Sequence, residues 1–223
     1  MHELDHIFLL TDVNADVEAR ILACAGLTEG PPNRHAGQGT ACRRFFLRNA
    51  YIELLWICDQ EEASSPMCTP TGLLTRWRGR ASGACPIGIC TRPARVHGEH
   101  PRPHVHPASP PMPAWKYEPP YLPRGFSIDM ALDAHDPAVP LRFHLGFAQA
   151  PGESSRVPLE SLVHPSGFES MSRVEIAGPC TWIGAGCLPA PGVEITLADR
   201  WSLRVCLERG EGANPAEVVT LLP

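Results

Sequence analysis

The sequence predicts an α+β protein, and three observations support this fold class. Short apolar runs rich in strand-forming residues recur along the chain, beginning with residues 3–10 and 51–57. A helical pattern over about residues 15–25 lies between these two runs. With 223 residues, 43% of them hydrophobic, the chain is long enough for one substantial domain or two small packed modules.

The first sixty residues predict the order strand, helix, strand, strand. Residues 37–40 look like a turn into a strand over residues 41–47, and residues 48–50 look like a hairpin turn into the strand over 51–57. A predicted N-cap, an apolar stripe and a terminating glycine define the helix. The N-cap is Asp12 or Asn14, the apolar stripe consists of Val17, Ile21 and Cys24, and the terminating glycine is Gly26.

His6 and Glu53 each interrupt an apolar strand with a group that can bind a metal. Successive side chains of a strand alternate between the two faces of a sheet. If both strands lie in one sheet, His6 and Glu53 can therefore converge. A carboxylate in the middle of an apolar run is costly to bury unless it is paired, protonated or bound to a cation. Glu53 is accordingly a candidate functional residue.

Four segments in this order resemble the first βαβββ module of glyoxalase-like proteins of the vicinal-oxygen-chelate superfamily: residues 4–7, 25–27, 34–41 and 51–55. The resemblance implies paired βαβββ modules that form a curved, mainly antiparallel sheet around a cleft. It places a first module at residues 1–60, a connector at 61–83, and a second, divergent module at 84–223. The second module would contain a His/Pro-rich insertion at about 97–125.

The resemblance also implies a set of metal ligands. In metal-using members, a first-strand His and a Glu at the end of the module are ligands, which corresponds to His6 and Glu53 here. The second-module strand at residues 84–92 contains no His, and Arg204 stands where the closing strand should carry a carboxylate. His144, inside an apolar strand, is the candidate third ligand; the alternative is a hydrogen-bonded core histidine.

The rest of the chain predicts more strands and several ambiguous segments. Strands are expected at residues 126–131, 141–147 and 173–177, and a hairpin at 192–197 and 201–208. The segment 76–80 predicts either an arginine clamp for anions or a solvated edge with Trp77 packed inward. The His-rich tract at residues 97–106 predicts either a metal-binding segment or an exposed loop. The aromatic segment 115–123 predicts either the wall of a ligand pocket or a loop packed onto the core.

Composition excludes several classes of function. The formal charge is -5 with a pI of about 6.0, so nucleic acid or an anionic membrane is not expected as the main partner. No run is long enough to span a bilayer and the N-terminus lacks a signal peptide pattern, which predicts a cytoplasmic protein. The nine cysteines include no C-x-x-C pair and are expected to be reduced. Phosphate-loop, Rossmann and serine-hydrolase motifs are absent from the sequence.

Two functions follow from the resemblance. The first is a small-molecule enzyme of the lyase, isomerase or dioxygenase type, with Glu53 as the catalytic residue. A divalent metal (Zn, Ni, Mn, Fe or Mg) would be held by His6, Glu53 and His144 and would chelate vicinal oxygens of the substrate. The second is a metal-free protein that binds or sequesters a small molecule. Relatives of this fold often build the cleft across a dimer, so the resemblance implies a homodimer as a partner arrangement for either function. The expected substrate-binding residues are Trp56, Trp115, Tyr121 and an inward Arg204 that neutralises Glu53 or holds an anion.

Overall fold

The computed structural model describes residues 1–94, 109–179, 190–210 and 217–222. It consists of an eight-stranded mixed sheet curled into a half-barrel and a separate four-stranded sheet. The predicted α+β class with a curved, mainly antiparallel sheet is confirmed. Within the described parts of the chain, no helix is long and apolar enough to cross a membrane.

The large sheet is built from eight strands in the spatial order β2-β3-β4-β1-β5-β8-β7-β6. Their bounds are β1 (His2–Leu10), β2 (Asn33–His35), β3 (Thr40–Phe46), β4 (Tyr51–Ile57), β5 (Ile87–Pro93), β6 (Ala114–Tyr117), β7 (Ile128–Ala131) and β8 (Leu141–His144). The helices are α1 (Asp16–Cys24), α2 (Gln60–Ala63) and α3 (Leu73–Gly79).

The two halves of the large sheet repeat one pairing scheme. In the first half, β1 is parallel to β4, and β4, β3 and β2 follow with antiparallel pairing. In the second half, β5 is parallel to β8, and β8, β7 and β6 follow in the same way. The halves meet at the centre, where β1 and β5 are antiparallel. The division into residues 1–60, 61–83 and 84–223 stays a prediction; the strands of the second half lie between residues 87 and 144.

The four-stranded sheet follows in the chain and has the order β10-β9-β11-β12. Its strands are β9 (Phe168–Gly178), β10 (Val193–Leu197), β11 (Ser202–Arg209) and β12 (Glu217–Leu221). The predicted hairpin of β10 with β11 is wrong, because both strands pair with β9, which lies between them. A short connection favours a hairpin locally, but the long β9 offers both of its edges for pairing, and only long-range contacts select that arrangement.

The two faces of the large sheet belong to different hydrophobic cores. One face packs against α1 and the four-stranded sheet, and this core includes Ile7, Leu9, Ile52, Leu54, Val174 and Leu203. The concave face holds a second core with Phe8, Leu10, Leu55, Ile128, Met130 and Leu141. Odd and even residues of β1 therefore enter different cores, as strand alternation requires.

Helix α1 buries a different face from the one that the sequence predicts. Ala19 and Leu22 are buried, whereas Val17 is 69% exposed and Ile21 37% exposed. Ala15, with a left-handed backbone, precedes the helix, and no side chain caps it. Small residues at positions 15 and 19 let the helix approach the sheet closely, a benefit that apolar spacing alone does not reveal.

Arg76 in α3 is buried and joins three segments of the chain. Its guanidinium donates hydrogen bonds to the carbonyl oxygens of Cys85, Ala134, Asp136 and Val139. Trp77 packs inward and its Nε1 donates to the Thr11 carbonyl, 2.8 Å away. Because its Nη1 and Nη2 donors serve the protein's own backbone, Arg76 has a structural role here and the anion clamp is not formed by this residue.

Candidate functional site

His6 and Glu53 lie together on the concave face of the large sheet. The parallel pairing of β1 with β4 places Phe8 opposite Glu53, so His6 stands one row away on the same face. The distance from His6 Nε2 to Glu53 Oε2 is 3.5 Å, and the two residues are 3% and 6% exposed. The strands thus bring together the two residues that the apolar runs single out.

His35 and Cys42 approach Glu53 from the neighbouring strands β2 and β3. His35 Nε2 lies 4.0 Å from Glu53 Oε1, and the Cys42 thiol lies close to the Glu53 carboxylate. One potential ligand atom from each of these three residues lies within 4.8 Å of the others. Burial lowers the pKa of His35, against the opposing effect of Glu53, and burial also raises the pKa of Cys42.

The orientation of the two histidine rings is set by hydrogen bonds and ring contacts. His6 Nδ1 is 2.7 Å from Asp5 Oδ2, and its ring stacks on Tyr51 at 4.3 Å between centroids. His35 Nδ1 hydrogen-bonds with the Thr40 hydroxyl at 2.9 Å. His6 thus uses Nδ1 for the contact with Asp5 and directs Nε2 towards Glu53, which is the arrangement expected of a ligand or a proton carrier. His35 Nε2 also lies near Glu53, but it hydrogen-bonds with the Asn33 side-chain amide at 3.0 Å.

The loop that contains Tyr121 covers this group of residues. The Tyr121 hydroxyl donates to Gln38 Oε1 at 3.2 Å, and its ring lies 4.9 Å from the His35 ring. Burial, reinforced by the nearby Glu53 charge, raises the pKa of Tyr121. The hydroxyl therefore stays protonated and available as a hydrogen-bond donor beside the carboxylate.

The second half of the sheet presents a mainly apolar surface to the same site. Cys90 pairs with His6 across β1 and β5, and Phe143 of β8 pairs with Cys90. The Phe143 ring contacts the His6 ring edge-on at 5.4 Å. Gly88 leaves room for the Phe8 ring, since a Cβ at this position would lie 2.0 Å from a Phe8 ring carbon. The site is thus polar on the first half and apolar on the second.

The donor atoms on the first half suit a divalent ion. Imidazole nitrogens and a carboxylate, here from His6, His35 and Glu53, are ligands that Zn, Ni, Mn and Fe accept, and the Cys42 thiol adds a softer donor. The fit rests on the grouping of His35, Cys42 and Glu53, whose potential ligand atoms lie within 4.8 Å of one another, and on His6 Nε2, 3.5 Å from Glu53 Oε2. A metal ion would take His35 Nε2 from its hydrogen bond with Asn33. On the second half of the sheet, the residues that face the site are Cys90, Leu141 and Phe143.

The part of the chain that carries these polar residues matches a known protein family. Residues 4–103 match the family model described as a glyoxalase-like domain. This part of the chain is a glyoxalase-like domain. It belongs to the vicinal-oxygen-chelate superfamily, as the resemblance implied. The match includes most of β1 and all of β2 to β5, and therefore His6, His35, Cys42 and Glu53.

The crystal structure of a hypothetical protein from Staphylococcus aureus aligns with 12% identity and a TM-score of 0.46, covering 80% of this chain and 70% of that one. No curated protein matches the chain.

Three predicted site residues lie elsewhere than expected. His144 neighbours Phe143 on β8 and so faces the opposite side of the sheet from His6, where its Nδ1 hydrogen-bonds with the Thr91 hydroxyl at 2.9 Å. Trp56 packs in the core on that opposite face. Arg204 lies on the four-stranded sheet, half-exposed, and pairs with Glu175 at 2.8 Å. The structure therefore places none of the three at the site: His144 is not beside His6, Arg204 does not turn inward to Glu53, and Trp56 does not line the concave face.

Tyr121 and Trp115 lie on the concave side. Tyr121 covers the polar half of the site, whereas Trp115 belongs to β6 and packs against the concave core, with its ring 6.0 Å from that of Tyr117. The segment at 115–123 is thus partly a strand and not only a loop. The His-rich tract at residues 97–106 lies outside the described residues.

Sequence reasoning missed His35, Cys42 and Asp5 as neighbours of the site. His35 and Cys42 stand on the strands that flank the turn at Gly37 and Gly39, and the same alternation that selected Glu53 would have put both on its face. Asp5 had no such signal, because adjacent residues of a regular strand point to opposite faces.

A cavity of about 270 Å³ lies away from this site, between the two sheets, and is lined in part by Leu4, Asn49, Arg92 and Met171. The side chain of Asn49 bonds with the backbone of Met171 at both of its amide atoms. The Arg92 guanidinium is likewise occupied by protein oxygens. These polar groups already have partners, so the concave face is the better candidate site.

Proposed function

We propose that the concave face of the glyoxalase-like domain is the active site of a small-molecule enzyme of the lyase, isomerase or dioxygenase type. The observation that carries the proposal is the carboxylate of Glu53, buried among apolar side chains, with the Nε2 atoms of His6 and His35 at 3.5 and 4.0 Å. Burying these groups costs free energy, which a catalytic or binding role would explain.

A divalent ion held by His6, Glu53 and His35 would polarise two neighbouring oxygen atoms of a substrate. Glu53 is the group placed to accept a proton from a carbon beside those oxygens. The Tyr121 hydroxyl is a donor that can turn from Gln38 to a substrate oxygen. Phe8 and Phe143 would contact the apolar part of the substrate and help exclude water.

Access to the site requires displacement of the covering loop, since His6 and Glu53 are almost fully buried. The substrate would therefore be small and would take the place of side chains such as Tyr121, whose contacts to the polar half are one hydrogen bond and one ring contact. Dicarbonyl and catechol-like compounds, which offer vicinal oxygens and an apolar body, are the classes to screen first.

A metal-free binding protein is the second candidate function. The apolar second half of the sheet favours this function. If metal ligands came from both halves, polar side chains would be needed at the positions of Leu141 and Phe143. In this case Glu53 and Tyr121 would orient a bound ligand by hydrogen bonds, and the aromatic side chains would supply contact area.

The deciding experiment is elemental analysis of tag-free protein after dialysis against a weak chelator. The wild type is compared with His6→Ala and Glu53→Gln, and with His144→Gln as the control for a buried histidine on the opposite face. Near-stoichiometric metal that is lost in the first two variants and kept in the control supports the enzyme with a metal. Metal-free wild type that still binds apolar ligands supports the binding protein, and metal kept in every variant indicates another site, such as the tract at 97–106.

A further inference from the structure

Asp5 and His6 are sequence neighbours whose side chains are hydrogen-bonded to each other, an arrangement that a regular strand does not allow. Asp5 Oδ2 lies 2.7 Å from His6 Nδ1, and both residues are buried. The pairing of β1 with β5 is irregular here: Leu4 pairs with Thr91 and His6 with Cys90, which leaves Asp5 as an extra residue in β1. Such a bulge can redirect a side chain, and here it places the Asp5 carboxylate beside the imidazole.

The second oxygen of Asp5 is held from the other half of the sheet. Arg92 of β5 approaches Asp5 Oδ1 with Nη1 at 3.3 Å, and Arg92 is 2% exposed. Its other donors bond with the Glu3 carboxylate and with the carbonyl oxygens of Leu4 and Asn49. Arg92 is therefore held at several points, and it holds Asp5 in turn.

The three contacts form one buried chain from Arg92 through Asp5 and His6 to Glu53. The carboxylate oxygens of Asp5 can only accept hydrogen bonds, so His6 must carry a proton on Nδ1. That proton leaves Nε2 as the atom that faces Glu53, at 3.5 Å. A partner on one ring nitrogen commonly sets the tautomer and orientation of a functional histidine.

We propose that Asp5, held by Arg92, is a positioning residue that keeps the proton of His6 on Nδ1 and so presents Nε2 to the site. The proposal rests on the proposed function for the use made of Nε2. It also assigns a role to β5. This strand supplies no imidazole or carboxylate to the site, but its Arg92 holds Asp5 and so helps to orient His6.

The test is the tautomer of His6, read by long-range proton–nitrogen NMR on metal-free, ¹⁵N-labelled full-length protein above the pH range of imidazole titration. The His6 signals are assigned by their loss in His6→Gln. The wild type is expected to show the proton on Nδ1. A proton on Nε2 in the wild type overturns the proposal without any variant.

Asp5→Asn is the decisive variant. Arg92 donates to the position of Asp5 Oδ1, so the asparagine should place its carbonyl oxygen there and turn its NH₂ group to His6. His6 Nδ1 must then accept, and the proton is expected to move to Nε2. Asp5→Glu, which keeps the carboxylate, should retain the wild-type tautomer, and so should Glu3→Gln, which touches Arg92 but not His6. An unchanged tautomer in folded Asp5→Asn overturns the proposal, and the wild-type result decides if this variant does not fold.

A second readout connects the tautomer to the site. Titration with Co²⁺ should show binding roughly 10- to 100-fold weaker in Asp5→Asn than in the wild type, the usual effect of losing a partner of a ligating histidine. The two failures are distinguishable. If the wild type binds no Co²⁺ while the tautomer switches as expected, the positioning role stands and the metal in the proposed function fails.

Discussion

His6 Nε2 lies 3.5 Å from Glu53 Oε2, and both side chains are almost completely removed from water. Because Asp5 accepts a hydrogen bond from Nδ1–H, the other ring nitrogen faces a carboxylate oxygen of Glu53 directly. Such an approach is favourable when a cation, either a proton or a metal ion, lies between the two atoms. The pair is therefore the part of the molecule whose properties should respond most to metal and to substitution.

Added divalent metal should stabilise the wild type and not Glu53→Gln. A ligand that binds only the folded state at a hundred times its Kd raises the free energy of unfolding by about 2.7 kcal/mol. Thermal unfolding with and without Co²⁺ or Zn²⁺ measures this effect. His144→Gln should respond as the wild type does, because His144 faces the other side of the sheet. An equal response in Glu53→Gln would contradict the assignment of the site.

Gly37→Ala should destabilise the protein and loosen the covering loop. Gly37 has a φ of +80°, and a Cβ would lie 2.2 Å from Cγ of Pro120, next to Tyr121. The strained backbone alone costs about 1 kcal/mol or more, and the clash adds to it by displacing the loop. Urea unfolding should show the loss, and labelling of Cys68, a buried thiol that bonds with the Gly37 carbonyl, should become faster.

Arg76→Met should cost about 3 kcal/mol or more of stability. The substitution keeps an unbranched side chain but leaves the carbonyl oxygens of residue 85 and of the segment 134–139 without their donor, each at a cost of about 1–3 kcal/mol. Arg78→Met is the matched control on the same helix, where the side chain is exposed and bonds with Gln60. This control should change the free energy of unfolding by no more than about 0.5 kcal/mol. Similar urea midpoints for the two variants would refute the structural role of Arg76.

Acid should destabilise the protein partly through His164. Burial lowers the pKa of His164 from 6.5, and its ring accepts from the Thr28 amide and donates to the Phe46 carbonyl. Above pH 6.5 the ring is neutral in both states. Below it the unfolded chain takes up a proton that the folded protein excludes, so stability falls with decreasing pH by up to about 1.4 kcal/mol per pH unit.

His164→Gln separates this effect from others. The glutamine amide can replace both hydrogen bonds and does not titrate in this range. The free energy of unfolding of this variant, measured by urea from neutral pH to about pH 5, should fall less steeply than that of the wild type. His35, whose pKa burial also lowers, should retain part of the slope. Parallel curves for the two proteins would show that His164 does not contribute.

Much of the first half of the fold could be predicted because its signals are local. The strands around His6 and Glu53 and the turn before β3 depend on the period of apolar residues and on glycine positions, and they appear where expected. To predict that His6 and Glu53 share a face, one further assumption was needed, namely that both strands lie in one sheet. The strands β2, β6 and β12 were not predicted, since strands of three or four residues and a C-terminal edge strand carry little periodic signal.

The sequence by itself determined the fold class, the family resemblance, and the candidate pair His6 and Glu53. The tertiary structure alone decided that His144 and Trp56 face away from this pair, that Arg204 belongs to another sheet, and that β9 lies between β10 and β11. It also decided that a bulge sets Asp5 beside His6. The reason is physical: alternation relates residues within one strand, but pairing between distant strands sets the register and the face that each side chain shares with the rest.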